Sequence, residues 1–383
     1  MTPVRVLVVD DSVVVRRLVS ETLARDPRVE VVGTASNGRL ALARVEQLAP
    51  DVVTMDIEMP EMDGIEAVRA LRRAGQRMPI IMFSTLTERG AESTLDALAA
   101  GATDYVTKPT GGTSVTDSLQ RVAEELIPKI LVLAGVRAAR QVPAPSRAGM
   151  LGPARATGPA GPAGATGPAG PSGPTVRVAA GGTLPTHPVR LVVVGSSTGG
   201  PEALSRFVGA LAAPPPVPLL VVQHMPPVFT RQLAARLDRL GPTSVVEAAG
   251  SEQLSPGTIY VAPGDHHLVV RSRGAGLATG LQDSPPVNFC RPSVDVLFSS
   301  AVDVVGGEIV GVVLTGMGAD GRTGAGRIVA AGGTVIVQDE PTSVVWGMPG
   351  AVANAGFAHR VLPLGDIARA VETVLATSVR TAR

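Results

Sequence analysis

At 383 residues, 45% of them hydrophobic, the chain is long enough to bury two or three separate cores. A net charge of +1 implies no polyanionic partner, and 2% aromatic residues supply too few stacking platforms for single-stranded nucleic acid. The single cysteine, Cys290, excludes an internal disulfide framework and reads as a structural thiol in a reducing compartment. The apolar run before Asp10 is too short for an export segment, and no stretch approaches roughly 18 uncharged apolar residues, so a soluble, cytoplasmic protein without membrane insertion is expected.

The first third alternates short β-branched runs with helical segments. Strands are expected at Val4–Val9, Glu30–Ala35, Asp51–Met55, Ile80–Phe83 and Tyr105–Val106, with a last helix starting near Val115. Five βα units make a doubly wound parallel sheet. Asp10 and Asp11 end the first strand, Asp56 the third, Ser84 the fourth, and Lys108-Pro109 follows the fifth. The carboxyl ends of parallel strands converge on one face, so three carboxylates and a lysine meet there. Such carboxylates need a cation, and an all-oxygen set favours Mg²⁺ with positions left for phosphate oxygens. The cluster suits phosphoryl transfer onto one carboxylate, the metal and Lys108 stabilising the developing charge. A single aspartate there would read as a helix cap. The full set resembles the response-regulator receiver domain. That resemblance implies Asp56 as phosphoacceptor, Asp10 and Asp11 as Mg²⁺ ligands with it, Lys108 on the phosphoryl group, and Ser84 and Tyr105 as switch residues. No base-reading helix-turn-helix pattern follows.

Residues 141–188 change character. Charge nearly vanishes, Pro, Gly and Ala dominate, and Gly recurs at 158, 161, 164, 167, 170 and 173. So short a run, without hydroxyproline, does not make a collagen trimer, and an extended, disordered tether is expected.

From residue 189 the βα alternation resumes, with strands expected at Arg190–Val194, Leu219–Gln223, Ser244–Glu247, Thr258–Val261, His267–Arg271, Ile309–Leu314 and Thr334–Val337. Helices are expected at Pro201–Ala212, Phe229–Arg239, Ser293–Val304 and Gly321–Ala331. Gly274 and Gly276 after the fifth of these strands suggest a hairpin within a mainly parallel sheet. Gly195-Ser196-Ser197-Thr198-Gly199 closes the first strand on a tight turn that exposes the Ser197 hydroxyl. His224 follows the second strand, and Asp320 follows the glycine-rich turn after Ile309–Leu314. One Ser, one His and one Asp at three strand ends form a nucleophile, base and orienter set. Their order, Ser–His–Asp, differs from the Ser–acid–His order of α/β-hydrolases. A backbone N–H in the Thr315–Ala319 turn, that of Met317 among them, is a candidate oxyanion donor, and Thr198 is expected to hydrogen-bond near His224. His266-His267 lacks partners at metal-ligand spacing and reads as a loop element.

Longer strings sharpen this reading: VGSSTGGP from Val194, QHMP from Gln223, APGD from Ala262, RPSVDVLF from Arg291, LTGMGADG from Leu314 and QDEPTSVVWGMP from Gln338. Together they resemble the CheB family of chemotaxis protein-glutamate methylesterases. The expected architecture is a receiver at 4–122, a linker at 123–188 that starts helical, and an α/β methylesterase domain at 189–380. The resemblance implies hydrolysis of glutamate γ-methyl esters on methyl-accepting chemoreceptors to glutamate and methanol, with glutamine deamidation in some members. It implies Ser197, His224 and Asp320 as the triad, no cofactor for the ester reaction, a chemotaxis histidine kinase as phosphodonor, and a receiver that covers the cleft until phosphorylated. A monomer is expected. Ser196 stands where alanine is common and Ala319 where asparagine is often seen; neither removes a catalytic group. A hydrolase of other esters and an idle docking module are the rival readings.

Overall fold

The computed structural model describes residues 2–108, 123–135 and 188–381. The helix start expected near Val115 and the glycine-rich tether up to residue 187 lie outside them. In the first part the order is β1 (Val4–Val9), α1 (Val13–Leu23), β2 (Val29–Ala35), α2 (Gly38–Leu48), β3 (Val52–Asp56), α3 (Gly64–Arg73), β4 (Ile80–Ser84), α4 (Glu88–Ala99) and β5 (Asp104–Thr107), followed by helical residues 123–135, termed α5. The strands form one parallel sheet in the order β2-β1-β3-β4-β5. Alternate residues fill its two faces, Leu7, Val53 and Met55 on one, Val6, Val8, Val52 and Ile81 on the other. Leu126, Ile130 and Leu133 of α5 cover the second face, so residues beyond 122 contribute to this core. Ser12, Asn37, Asp63 and Thr87 cap the helices that follow.

The second part runs β6 (Leu191–Ser196), α6 (Gly200–Gly209), β7 (Leu219–Gln223), α7 (Pro227–Leu237), β8 (Ser244–Glu247), β9 (Thr258–Val261), β10 (His267–Arg273), β11 (Gly276–Gln282), α8 (Val294–Val305), β12 (Ile309–Val313), α9 (Arg322–Ala330), β13 (Thr334–Gln338), α10 (Met348–Asn354), β14 (Arg360–Leu362) and α11 (Leu364–Thr381). Seven strands make a parallel sheet in the order β14-β13-β12-β6-β7-β9-β8. The expected hairpin forms, but β10 and β11 pair only with each other as a separate antiparallel ribbon, outside the main sheet. Their Leu268, Val270 and Leu277 bury against the core shared with α8, which holds the ribbon off the sheet plane.

Chain order reverses at β6: the chain winds outward through β7 on one side and through β12, β13 and β14 on the other. Such a reversal opens a crevice at the strands' carboxyl ends. The receiver-like sheet reverses in the same way between β1 and β3. Among the described residues no helix is long and apolar enough to cross a membrane.

Candidate active site

Three neighbouring strands deliver the expected set. Ser197 follows β6, His224 follows β7, and Asp320 lies in the turn after β12. The Ser197 turn is pinned from both sides. Ser196 Oγ donates to Gln223 Oε1 at 2.7 Å, and Gln223 Nε2 donates to the Ser197 carbonyl at 3.0 Å. Across the other edge, Ser197 N donates to the Thr315 carbonyl and Thr315 Oγ1 to the Thr198 carbonyl, each at 3.0 Å. The glycines are needed sterically: Gly199 sits at φ +76°, and a Cβ on Gly200 would fall 1.9 Å from Gln223 Oε1. Helix α6 starts without a side-chain cap; its first N–H, that of Gly200, donates to the Ser197 carbonyl at 2.7 Å, and Pro201 follows with no N–H to offer.

His224 Nε2 donates to Asp320 Oδ2 at 2.9 Å. Asp320 is almost fully buried and caps α8 rather than its own helix α9. It accepts from Val294 N at 2.7 Å, Asp295 N at 3.1 Å, Ser293 Oγ at 2.9 Å, Asn288 Nδ2 at 2.9 Å and Gly321 N at 3.1 Å. Burial alone would raise its pKa, but the hydrogen bonds from His224, Asn288 and Val294, with the histidine's charge, hold it at about 2. Burial pulls His224 down, and the contacts with Asp320 and Cys290 outweigh it, raising the imidazole to about 9. With Nε2–H committed to Asp320, the lone pair of the neutral ring falls on Nδ1, which lies 3.4 Å from Cys290 Sγ. Ser197, His224, Cys290, Met317 and Gly318 line one cavity of about 830 Å³. Among the described residues the Ser197 hydroxyl makes no hydrogen bond, so Ser197 and His224 share the cleft without being hydrogen-bonded to each other.

Thr315 N donates to Gln338 Oε1 and Gly316 N to the Val345 carbonyl, whereas Met317 and Gly318 face the cavity. The Thr198 expectation is corrected. Its hydroxyl donates not beside His224 but to Asp104 Oδ2 of β5, at 3.0 Å. Cys290 is half-buried at the cleft, its Sγ 3.4 Å from His224 Nδ1. His267 is fully buried in β10, its Nδ1 accepting from Ser293 N and its Nε2 facing the Pro285 carbonyl; it braces the segment that holds Asp320. Asn288, Ser293 and Gln223 were not singled out from the sequence, although Ser293 and Gln223 lie inside the quoted strings.

The second cluster forms at the other sheet. Lys108 Nζ lies 2.7 Å from Asp56 Oδ1 and 3.0 Å from Asp10 Oδ2. Burial first, then the charge of Asp10, raises Asp56 to about 6 against the pull of Lys108. Asp10, Asp11 and Asp56 each bring a carboxylate oxygen within 4.8 Å of the others, and Asp10 Oδ2 is buried with no aligned hydrogen-bond donor. Crowded, all-oxygen and under-satisfied, the group fits a hard divalent cation. Ser84 Oγ accepts from Thr94 Oγ1 at 2.6 Å and donates to the Gly90 carbonyl at 3.0 Å, which turns it toward α4. Tyr105 is buried and its ring stacks on Phe229 of α7, centroids 4.7 Å apart at 7°.

The CheB methylesterase family model matches residues 192–371, and the response regulator receiver domain model matches residues 6–120. The protein-glutamate methylesterase/protein-glutamine glutaminase of Nocardioides sp. is 57% identical, covering 96% of this chain and 94% of its own. That of Trichodesmium erythraeum is 40% identical, over 97% and 99%. A protein of the same name, numbered 2, from Caulobacter vibrioides is 47% identical, over 95% and 96%. The chain belongs to the CheB methylesterase family.

In this CheB chain the receiver lies against the cleft that holds Ser197 and His224. Asp104, Tyr105, Glu124, Glu125 and Lys129 line the same cavity as Ser197 and His224. Besides the Thr198–Asp104 and Tyr105–Phe229 contacts, Arg236 of α7 pairs with Asp96 of α4 at 2.8 Å and Arg231 with Glu88 at 3.4 Å. Val345 joins the buried cluster of Leu126, Ile130 and Leu133, and Met317 and Val344 pack on it. Lys129 Nζ sits 3.0 Å from Asp104 Oδ2, the oxygen that Thr198 also uses.

Proposed function

We propose that this chain is a phosphorylation-activated protein-glutamate methylesterase that hydrolyses glutamate γ-methyl esters on the helices of methyl-accepting chemoreceptors, and deamidates receptor glutamine by the same acyl transfer. The observation that carries the reading is the His224–Asp320 pair beside Ser197 in one cleft, at 2.9 Å. Ser197 Oγ attacks the ester carbonyl while His224 accepts its proton. His224 then protonates the departing methoxide, giving methanol and an acyl-serine. Water, deprotonated by His224, attacks the acyl carbonyl; glutamate leaves as the Ser197 hydroxyl is re-formed. Asp320 orients the ring and stabilises its charged form. The Met317 N–H and a backbone N–H of the turn that leads into α6 form the oxyanion donor set; losing one such donor costs roughly 3–4 kcal/mol of barrier. The ester step uses no cofactor. With the imidazole raised to about 9, the cleft as it stands keeps its base mostly protonated at neutral pH, as suits a resting enzyme.

Regulation follows from the receiver. Asp56 accepts a phosphoryl group from a chemotaxis histidine kinase, and Lys108 neutralises its oxygens. Mg²⁺, held by Asp10, Asp11 and Asp56, would supply positive charge to the transferring phosphoryl group. Ser84 and Tyr105 respond as the switch pair. Tyr105 stacks on Phe229, so movement of its ring bears directly on the contact that covers the cleft.

The test is methanol release from a methylated receptor cytoplasmic fragment, with and without a small phosphodonor and Mg²⁺. Wild type should release methanol faster with phosphodonor, and Ser197→Ala should lose at least about a thousand-fold while still binding the fragment. Release that survives Ser197→Ala, or none under any condition, would overturn the reading.

A further inference from the structure

The cleft contains a second chemistry that ester hydrolysis does not use. Cys290 Sγ lies 3.4 Å from His224 Nδ1, while Asp320 holds the opposite ring nitrogen at 2.9 Å. His224, Cys290 and Asp320 each present a ligand atom within 4.8 Å of the others. In the neutral ring the proton shared with Asp320 sits on Nε2, so Nδ1 then presents its lone pair toward the thiol. A tetrahedral zinc with ~2.3 Å to sulfur and ~2.05 Å to nitrogen has an S···N edge of about 3.6 Å, so the two atoms need to part by only a few tenths of an ångström. A carboxylate behind the ring is the usual support of a metal-binding histidine. Both ligand residues line the open cavity, which leaves room for water to complete the shell.

We propose that His224 Nδ1 and Cys290 Sγ form an inhibitory site for zinc or a similarly thiophilic ion, with Asp320 bracing the imidazole. Thiolate and imidazole select such ions over Mg²⁺, so the cation that suits the receiver carboxylates does not compete here. On binding, the thiol and any protonated imidazole release their protons to solvent, and the nitrogen lone pair goes to the metal. The nitrogen that accepts the Ser197 proton is then occupied, and hydrolysis stops. The inhibition rests on His224 acting as the base; the ligand assignment does not.

Cys290 is the only cysteine of the chain, so a thiolate-to-cobalt charge-transfer band reports this site alone. The full-length protein, with Mg²⁺ in excess, is titrated with Co²⁺ and with Zn²⁺, as wild type and Cys290→Ser. Wild type should show the band, lose it as Zn²⁺ displaces cobalt, and lose methanol release at the same Zn²⁺ concentrations, with recovery on chelation. Cys290→Ser should show no band and need about ten-fold or more Zn²⁺ for half-inhibition relative to its own metal-free rate. No band in wild type, or equal Zn²⁺ affinity in the two proteins, overturns the site. A band with hydrolysis unaffected by Zn²⁺ overturns the inhibition. If methanol is never released, the cobalt band still decides the ligands.

Discussion

Asp320 carries two duties at once, orienting His224 and terminating the dipole of α8, and the donors around it are arranged for a carboxylate. Asp320→Asn puts an amide among N–H donors and removes the preference for the Nε2–H tautomer. Its kcat should fall by about 10⁴, read by methanol release. The raised His224 pKa has its own signature. In metal-free buffer kcat/KM should climb with pH along a limb set by His224 near 9, and Cys290→Ala, which removes one of the contacts raising it, should move that limb to lower pH. Stability runs the opposite way. The folded imidazole binds its proton more tightly than the unfolded chain, whose value is near 6.5, so the pair stabilises fully below that pH. The contribution is lost as pH rises through about 9. The melting temperature should therefore decline over that window in wild type and less steeply in His224→Gln. Ser197, His224 and Asp320 were legible because each follows a buried strand. Cys290 and Asn288 were not, because the loop that folds them back runs through left-handed residues Asn288 and Phe289, at φ 53° and 64°, and no periodicity encodes that return.

The parallel strands were legible for a different reason: buried on both faces, they read as unbroken Val, Ile and Leu runs. β14 was not, being three half-buried residues without a pattern, and neither was α10, seven residues with a proline near its start. The ribbon of β10 and β11 was expected as a hairpin, but its separation from the sheet depends on packing against α8, a tertiary fact. The contact of α4 with α7 belongs to the same class, since neither helix announces its partner. It includes ion pairs at its rim, each worth about 0.2–1 kcal/mol. Arg236→Asp should raise methanol release by the unphosphorylated enzyme at most about five-fold, and adding Asp96→Arg should bring it back down.

Across the whole molecule, two sheets each place a reactive carboxylate or hydroxyl at a reversal of strand order, and the face of one covers the opening of the other. The receiver site and the hydrolase site were each readable from their own strand ends. The resemblance implied that the receiver covers the cleft, but not that Asp104, Tyr105 and α5 make the join, because nothing along those segments names the Thr198 and Phe229 they meet. Asp56→Asn should abolish the phosphodonor response, measured as the ratio of methanol release with and without it.

The shared oxygen of Asp104, contacted by Thr198 on one side and Lys129 on the other, has a consequence for the order of events in the cell. Under the proposed regulation, a receptor helix entering the cleft and a phosphoryl group arriving at Asp56 would both favour the separated arrangement. Couplings between binding equilibria are reciprocal. Methylated receptor should therefore tighten a stable phosphoryl mimic on Ser197→Ala enzyme by the same factor with which the mimic tightens receptor. The substrate then acts as an effector of the enzyme's own activation, and receptor clusters rich in methyl esters would concentrate the phosphorylated enzyme where there is most to remove.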